Sequence, residues 1–296
     1  MILGTVIPPN DSDMSVLPEM HTIMQTMMSA AHATELREAK AILQHPSLVI
    51  RLSSMVGTRV ENLTKTLGKR LPEELSEAIA KSSNKAIERA FRTALRTMRD
   101  GRFPAPQNRL HKAAVVTTGG LAGFLGLQAL LVELPITTLI MFRSIADIAR
   151  ANGESLSSPD TQLNCLTVFA LGSPRSDTDE GAETSYYGVR YALSRITSDA
   201  LQYVTAHGTT ARSAPVMIRF ISAIASRFGV VVSQKAAAQA VPAIGAIGGA
   251  LTNAVFMSHF QDMARAHFTI RRLERIYGKE TVEAHYAALA DDSQER

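Results

Sequence analysis

Tryptophan is missing from this chain, and tyrosine and phenylalanine are sparse, 6 and 10 among 296 residues. A single cysteine, Cys165, excludes an intramolecular disulfide framework and any site built from several thiolates. It also fits a reducing compartment. No stretch alternates apolar and polar residues for long enough to suggest a half-buried strand, and there is no internal repeat with a period of about 20–50 residues. The sequence has no Gly-x-x-x-x-Gly-Lys-Ser/Thr loop to cradle phosphates, no Gly-x-Ser-x-Gly elbow and no His-Glu-x-x-His helix. The opening MILGTVIPPNDSD carries no Lys or Arg and only a short apolar start, which makes a poor secretory signal, so a cytoplasmic-side protein is expected.

What is present is core-forming. Hydrophobic residues make up 46% and charged residues 20%, a balance that folds rather than stays disordered. Ala, Met, Leu and Ile supply most of the core, which favours helices over sheets. The expected fold is therefore all-α, a multi-helix bundle. The net charge of +4 is unevenly spread: between Arg51 and Lys112 there are 14 Lys or Arg against 6 Asp or Glu. Such asymmetry suggests a surface that meets something anionic.

Helical patterns run over 18–45, 47–67 and 72–100. The third is the clearest: Pro72 suits the first turn, and Glu73 and Glu74 suit the positive end of the helix dipole. Ile79, Ile87, Phe91, Leu95 and Met98 form one face, and Lys81, Lys85, Arg89, Arg92, Arg96 and Arg99 form another. The basic, Pro-containing linker RFPAPQNRLHK follows, so the chain is expected to divide into an N-terminal helical extension, 1–104, and a main helical domain, 105–296. In the latter, helices are expected over 136–151 (broken from a preceding apolar helix near Pro135), 160–171, 182–206 and 215–228. A long helix stopped by Gly278 and a last one over 280–290 complete the domain.

Two apolar runs stand out. Residues 113–142 carry one formal charge, Glu133, and residues 236–261 have no Asp, Glu, Lys or Arg. Residues 113–132 are long enough to cross about 30 Å of hydrocarbon. They are, however, diluted by Thr, Gly and Gln, and the helix turns charged soon after Pro135. Gly119 and Gly123 in the first run, and Gly245, Gly248 and Gly249 in the second, would let two helices approach closely. Both runs are expected to be Gly/Ala-rich helices packed on each other in the core. A form that lies on or enters a bilayer, and a permanent span, are the alternatives.

The stretches VELPITTLIMFRSIADIARANGES, CLTVFALGS and VPAIGAIGGALTNAVF, with the helix ending RRLERIYG, resemble the EcsC family over roughly residues 105–280. The step Glu133–Pro135, the helix with Arg143, and the Pro242/Gly245/Gly249/Asn253 run carry that likeness. The resemblance implies an all-helical bacterial protein of a family named for a member encoded beside an ATP-binding-cassette transporter. It implies no established activity, and this chain lacks the ATP-binding motifs of such transporters.

Candidate chemistry is thin. Ser82-Ser83-Asn84-Lys85 matches Ser-x-x-Lys without companion motifs, and His259, Asp262 and His267 sit one and two turns apart without a further ligand. No cofactor or metal is expected. A carboxylate among apolar residues needs a partner. Glu133 is therefore expected in a buried polar network with Arg143, Asn253 and Arg271; a proton-sensing or ligand-binding role, or that of a catalytic acid in a hydrolase-type enzyme, are the alternatives. Lys85, Arg89, Arg92, Arg96, Arg99 and Arg102 read as a solvated face or as a surface for an anionic membrane; few aromatics interleave them, which points away from nucleic acid. The preferred expectation is a non-catalytic, membrane-peripheral accessory protein at the inner face of the cell membrane, with an anionic surface or a membrane transporter as partner.

Overall fold

A computed structural model describes residues 28–44, 72–97, 126–171, 186–207, 214–239 and 249–289. Among them are eight α-helices and one 3-10 turn, and no strand. The helices are α1 (Ala30–Gln44), α2 (Glu73–Thr97), α3 (Gly126–Ala151), α4 (Pro159–Thr167, running into the 3-10 turn Val168–Ala170), α5 (Tyr186–His207), α6 (Pro215–Gln239), α7 (Gly249–Tyr277) and α8 (Lys279–Ala288). The fold is all-α, as the composition predicts.

The chain divides into two compact units, Met1–Lys40 with Thr269–Arg296, and Ala41–Phe268. This differs from the boundary expected at 104/105. The reason is α2, whose apolar face (Ile79, Ala86, Ile87, Ala90, Phe91 and Ala94) is buried and lies chiefly against α3 and α6. It packs as an integral helix of the larger unit, with one face buried, not as an appendage. In the smaller unit, His32 Nδ1 lies 2.7 Å from Tyr277 Oη and Glu35 pairs with Arg272. Lys40 Nζ donates to the carbonyls of Tyr286 and Leu289 at 3.1 and 2.6 Å, closing the end of α8.

The larger unit is centred on phenylalanines that come from distant parts of the chain. Phe169 and Phe260 have ring centroids 5.2 Å apart, Phe228 and Phe260 5.6 Å, and Phe256 meets Phe260 edge to face at 5.2 Å. All four are buried. They draw the turn after α4, the middle of α6 and the first half of α7 together.

Two helices run further than the sequence suggests. The break expected at Pro135 does not occur: α3 is continuous from Gly126 to Ala151 with Pro135 inside it. Proline removes the N–H that would bond the carbonyl four residues back, that of Leu131. The hydroxyl of Ser82 on α2 donates to this carbonyl at 2.9 Å, so the group the proline strands is satisfied from a neighbouring helix. Ser82→Ala should therefore lower stability by about 1–2 kcal/mol, since it leaves a carbonyl without a donor. Urea unfolding would measure it, and a variant as stable as the parent would remove this account of the unbroken helix.

Helix α6 likewise does not end at Phe228 but continues to Gln239. Gly229 is not a stop signal. It lies in the helix interior where α2 comes close, and a Cβ there would be 3.7 Å from Ser83 Oγ. Other ends follow the expected rules. Gly153 takes φ 79°, with Gly153 N–H donating to Arg150 O at 2.9 Å and Glu154 N–H to Ala149 O at 3.1 Å. That is the paired-bond close of a helix on a left-handed residue. Gly278, at φ 84°, stops α7. The packing expected between residues 113–132 and 236–257 falls mostly on segments, 113–125 and 240–248, that lie outside the described residues, as do Gly119, Gly123, Gly245 and Gly248.

Candidate functional site: a buried charge pair bridged by an amide

Glu133 projects from α3 two turns after its start, and Asn253 from the first turns of α7. Lys235 projects from the last turns of α6, and all three side chains are buried. Lys235 Nζ donates to Asn253 Oδ1, and Asn253 Nδ2 donates to Glu133 Oε1. The amide is thus aligned between the charges, its oxygen toward the ammonium and its N–H toward the carboxylate. The reverse orientation would set donor against donor and acceptor against acceptor. Lys235 Nζ also lies 4.8 Å from the centroid of the Phe256 ring, whose face attracts a cation.

Burial governs the lysine. Fully enclosed, its amine is pushed down from an ordinary value near 10.5 to about 8, the loss of water outweighing the opposing pull of Glu133.

Of the residues expected in this network, the structure unites Glu133 and Asn253. Arg143 is not part of it: it is exposed on the far stretch of α3. Arg271 is half-buried and belongs to the smaller unit. The cation in the network is Lys235, which the sequence reading passed over. A signal was there: Lys235 is the sole Asp, Glu, Lys or Arg between Arg227 and Asp262, as Glu133 is between Ala113 and Phe142.

Further buried polar contacts tie α7 to its neighbours. Gln261 Nε2 donates to Ser144 Oγ at 2.8 Å. Tyr186 Oη lies 3.0 Å from His267 Nδ1 and accepts from Arg190 Nη1 at 3.2 Å. Asp262 pairs with Arg265, His259 is buried against Phe260, and among the described residues no three His, Cys, Asp or Glu are grouped to hold a metal ion. Cys165 is a buried free thiol. In the Ser-x-x-Lys stretch, Ser82 is engaged with Leu131 and Lys85 is exposed.

The basic row of α2 is on the surface. Lys81, Lys85, Arg89 and Arg96 are exposed, and Arg92 pairs with Glu88 at 2.6 Å. Arg99 and Arg102 lie outside the described residues. Among the described residues one segment, Pro215–Ala236 in α6, is long and apolar enough to cross a membrane. It is not one of the two runs singled out by sequence, and its apolar side (Met217, Phe220, Ile224, Phe228) is buried inside the fold.

No curated protein and no solved structure matches this chain. The EcsC protein family matches residues 32–273, which extends the likeness read over 105–280 toward the N-terminus and takes in the basic helix α2. With most of its length matched, across the helices that carry Glu133, Lys235 and Asn253, the chain belongs to the EcsC family.

Proposed function

We propose that this is a non-catalytic, membrane-peripheral interaction protein, working on the cytoplasmic side of a bacterial cell membrane, where a transporter would also be within its reach. The observation that supports this reading is the row Lys81, Lys85, Arg89 and Arg96, exposed on the side of α2 opposite its buried face. Each Lys or Arg held at an anionic lipid surface contributes about 1 kcal/mol. The hydrolase alternative has less support, because Glu133 is enclosed and already accepts the Asn253 amide.

Vesicle co-sedimentation tests the proposal. Binding should require phosphatidylglycerol in a phosphatidylcholine vesicle, and it should weaken as salt shortens the Debye length from about 10 Å at 0.1 M to about 3 Å at 1 M. Equal affinity for neutral and anionic vesicles, or binding indifferent to salt, would count against it.

A further inference from the structure

Helix α2 lies between α3 and α6. It meets α3 through the Ser82 bond to Leu131 O. It meets α6 through Ser83 beside Gly229 and through Asn84, whose Oδ1 accepts from Ser222 at 3.4 Å. All three helices bury their inner faces in the same core: Ala90 and Phe91 on α2, Met141 and Ile145 on α3, Ile224 and Phe228 on α6. Helix α2 packs against both of the others, so the outward faces of α3 and α6 flank its basic row.

That surface has a consistent chemistry. Its exposed cations are Lys81, Lys85, Arg89 and Arg96 of α2, Arg143 of α3 and Arg219 of α6. Glu88 is engaged by Arg92 and Asp147 by Arg150, and the remaining acids of α2, Glu73, Glu74 and Glu77, sit at its N-terminal end. Among the cations stand large apolar side chains that the fold leaves out: Ile136 on α3 is 49% exposed, and Ile218 and Val230 on α6 are 54% and 45% exposed. Isolated exposed apolar residues are ordinary. Here they stand on the two helices packed against α2, which carries the row of Lys and Arg, and that combination suits a bilayer surface, where charge meets headgroups and short apolar side chains reach the acyl boundary.

We infer that the outward faces of α3, α2 and α6 together are a docking surface for an anionic phospholipid bilayer, with Arg143 and Arg219 extending the contact beyond α2 and with Ile136 and Ile218 entering the interface. The inference rests on the peripheral-membrane reading above and goes further by naming the face. It also gives Arg143 a place: not beside Glu133, but on the outside of the same helix.

The test uses the full chain and co-sedimentation with phosphatidylcholine vesicles with and without phosphatidylglycerol. Three variants are compared with the parent: Arg143→Gln with Arg219→Gln; Ile136→Ser with Ile218→Ser; and a charge-matched control in the smaller unit, Arg37→Gln with Arg275→Gln, both of which are exposed. Thermal melts confirm that each variant is folded. The first should bind anionic vesicles roughly 30-fold more weakly than the parent, the second should also bind more weakly, and the control should stay close to the parent. If the parent binds and the two face variants bind equally well, the face is wrong while the peripheral reading stands. Equal weakening by the control would mean that net charge, not this face, governs binding, and would also overturn the inference. A parent that binds neither vesicle ends both.

Discussion

Replacing Lys235 with Met, or Glu133 with Gln or Ala, is expected to lower stability by about 3–5 kcal/mol, whereas replacing both together (Glu133→Gln with Lys235→Met) should cost far less or even stabilise. The single changes leave one buried charge facing an amide and no counter-charge. The double change removes both charges from a place where water cannot reach them. The lysine itself shows which effect wins: with Glu133 nearby its amine still sits well below its ordinary value, so burial outweighs attraction. An ion pair of that kind does not recover its own desolvation. Urea unfolding of the parent, the two single variants and the double variant closes the cycle, and losses that simply add would show that the two residues do not act as a pair.

The second large effect is with pH. Unfolded, Lys235 titrates near 10.5; folded, at about 8. Below pH 8 both states hold the proton, and the folded state carries the whole burden of an enclosed ammonium. Above pH 10.5 neither holds it, and that burden is gone. In between, the unfolded chain binds a proton that the folded chain does not, so stability rises with pH across this window. The gap corresponds to about 3 kcal/mol. The comparison is with the Glu133→Gln, Lys235→Met double variant, which lacks this titration: in urea unfolding repeated across pH, the parent should gain on it between pH 8 and 10.5. Parallel stability curves for the two proteins would refute the assignment.

The sequence was informative where a local rule and the tertiary structure agree. Helix α2 could be read from Pro72, its first-turn acids and the separation of its apolar and basic faces, and the structure places it at 73–97. Glu133 and Asn253 could be anticipated because a carboxylate in an apolar run must find a donor. The expected break in α3 and the expected place of Arg143 both go back to Pro135. Taken as a break, it lets the following helix fold back and bring Arg143 toward Glu133. In the continuous helix, ten residues separate the two by about 15 Å along the axis, and the guanidinium faces outward. Nothing local to α3 reveals that continuity, since the hydroxyl that makes it tolerable comes from Ser82, on a different helix. Lys235 was missed for a simpler reason: counting the apolar run from Ala236 starts one residue past the charge that completes the site.

The Ser82 contact has a consequence for how α2 and α3 find each other. Both offer small and apolar side chains, and ridges of such residues can interlock in more than one offset, each a helical turn from the next. Among the carbonyls of α3 that a neighbour could reach, the one opposite Pro135 is distinguished by lacking an amide partner. A serine that must meet that oxygen selects one offset and leaves the others with a stranded acceptor. The proline, which looks like a defect in α3, thereby sets the register of the pair.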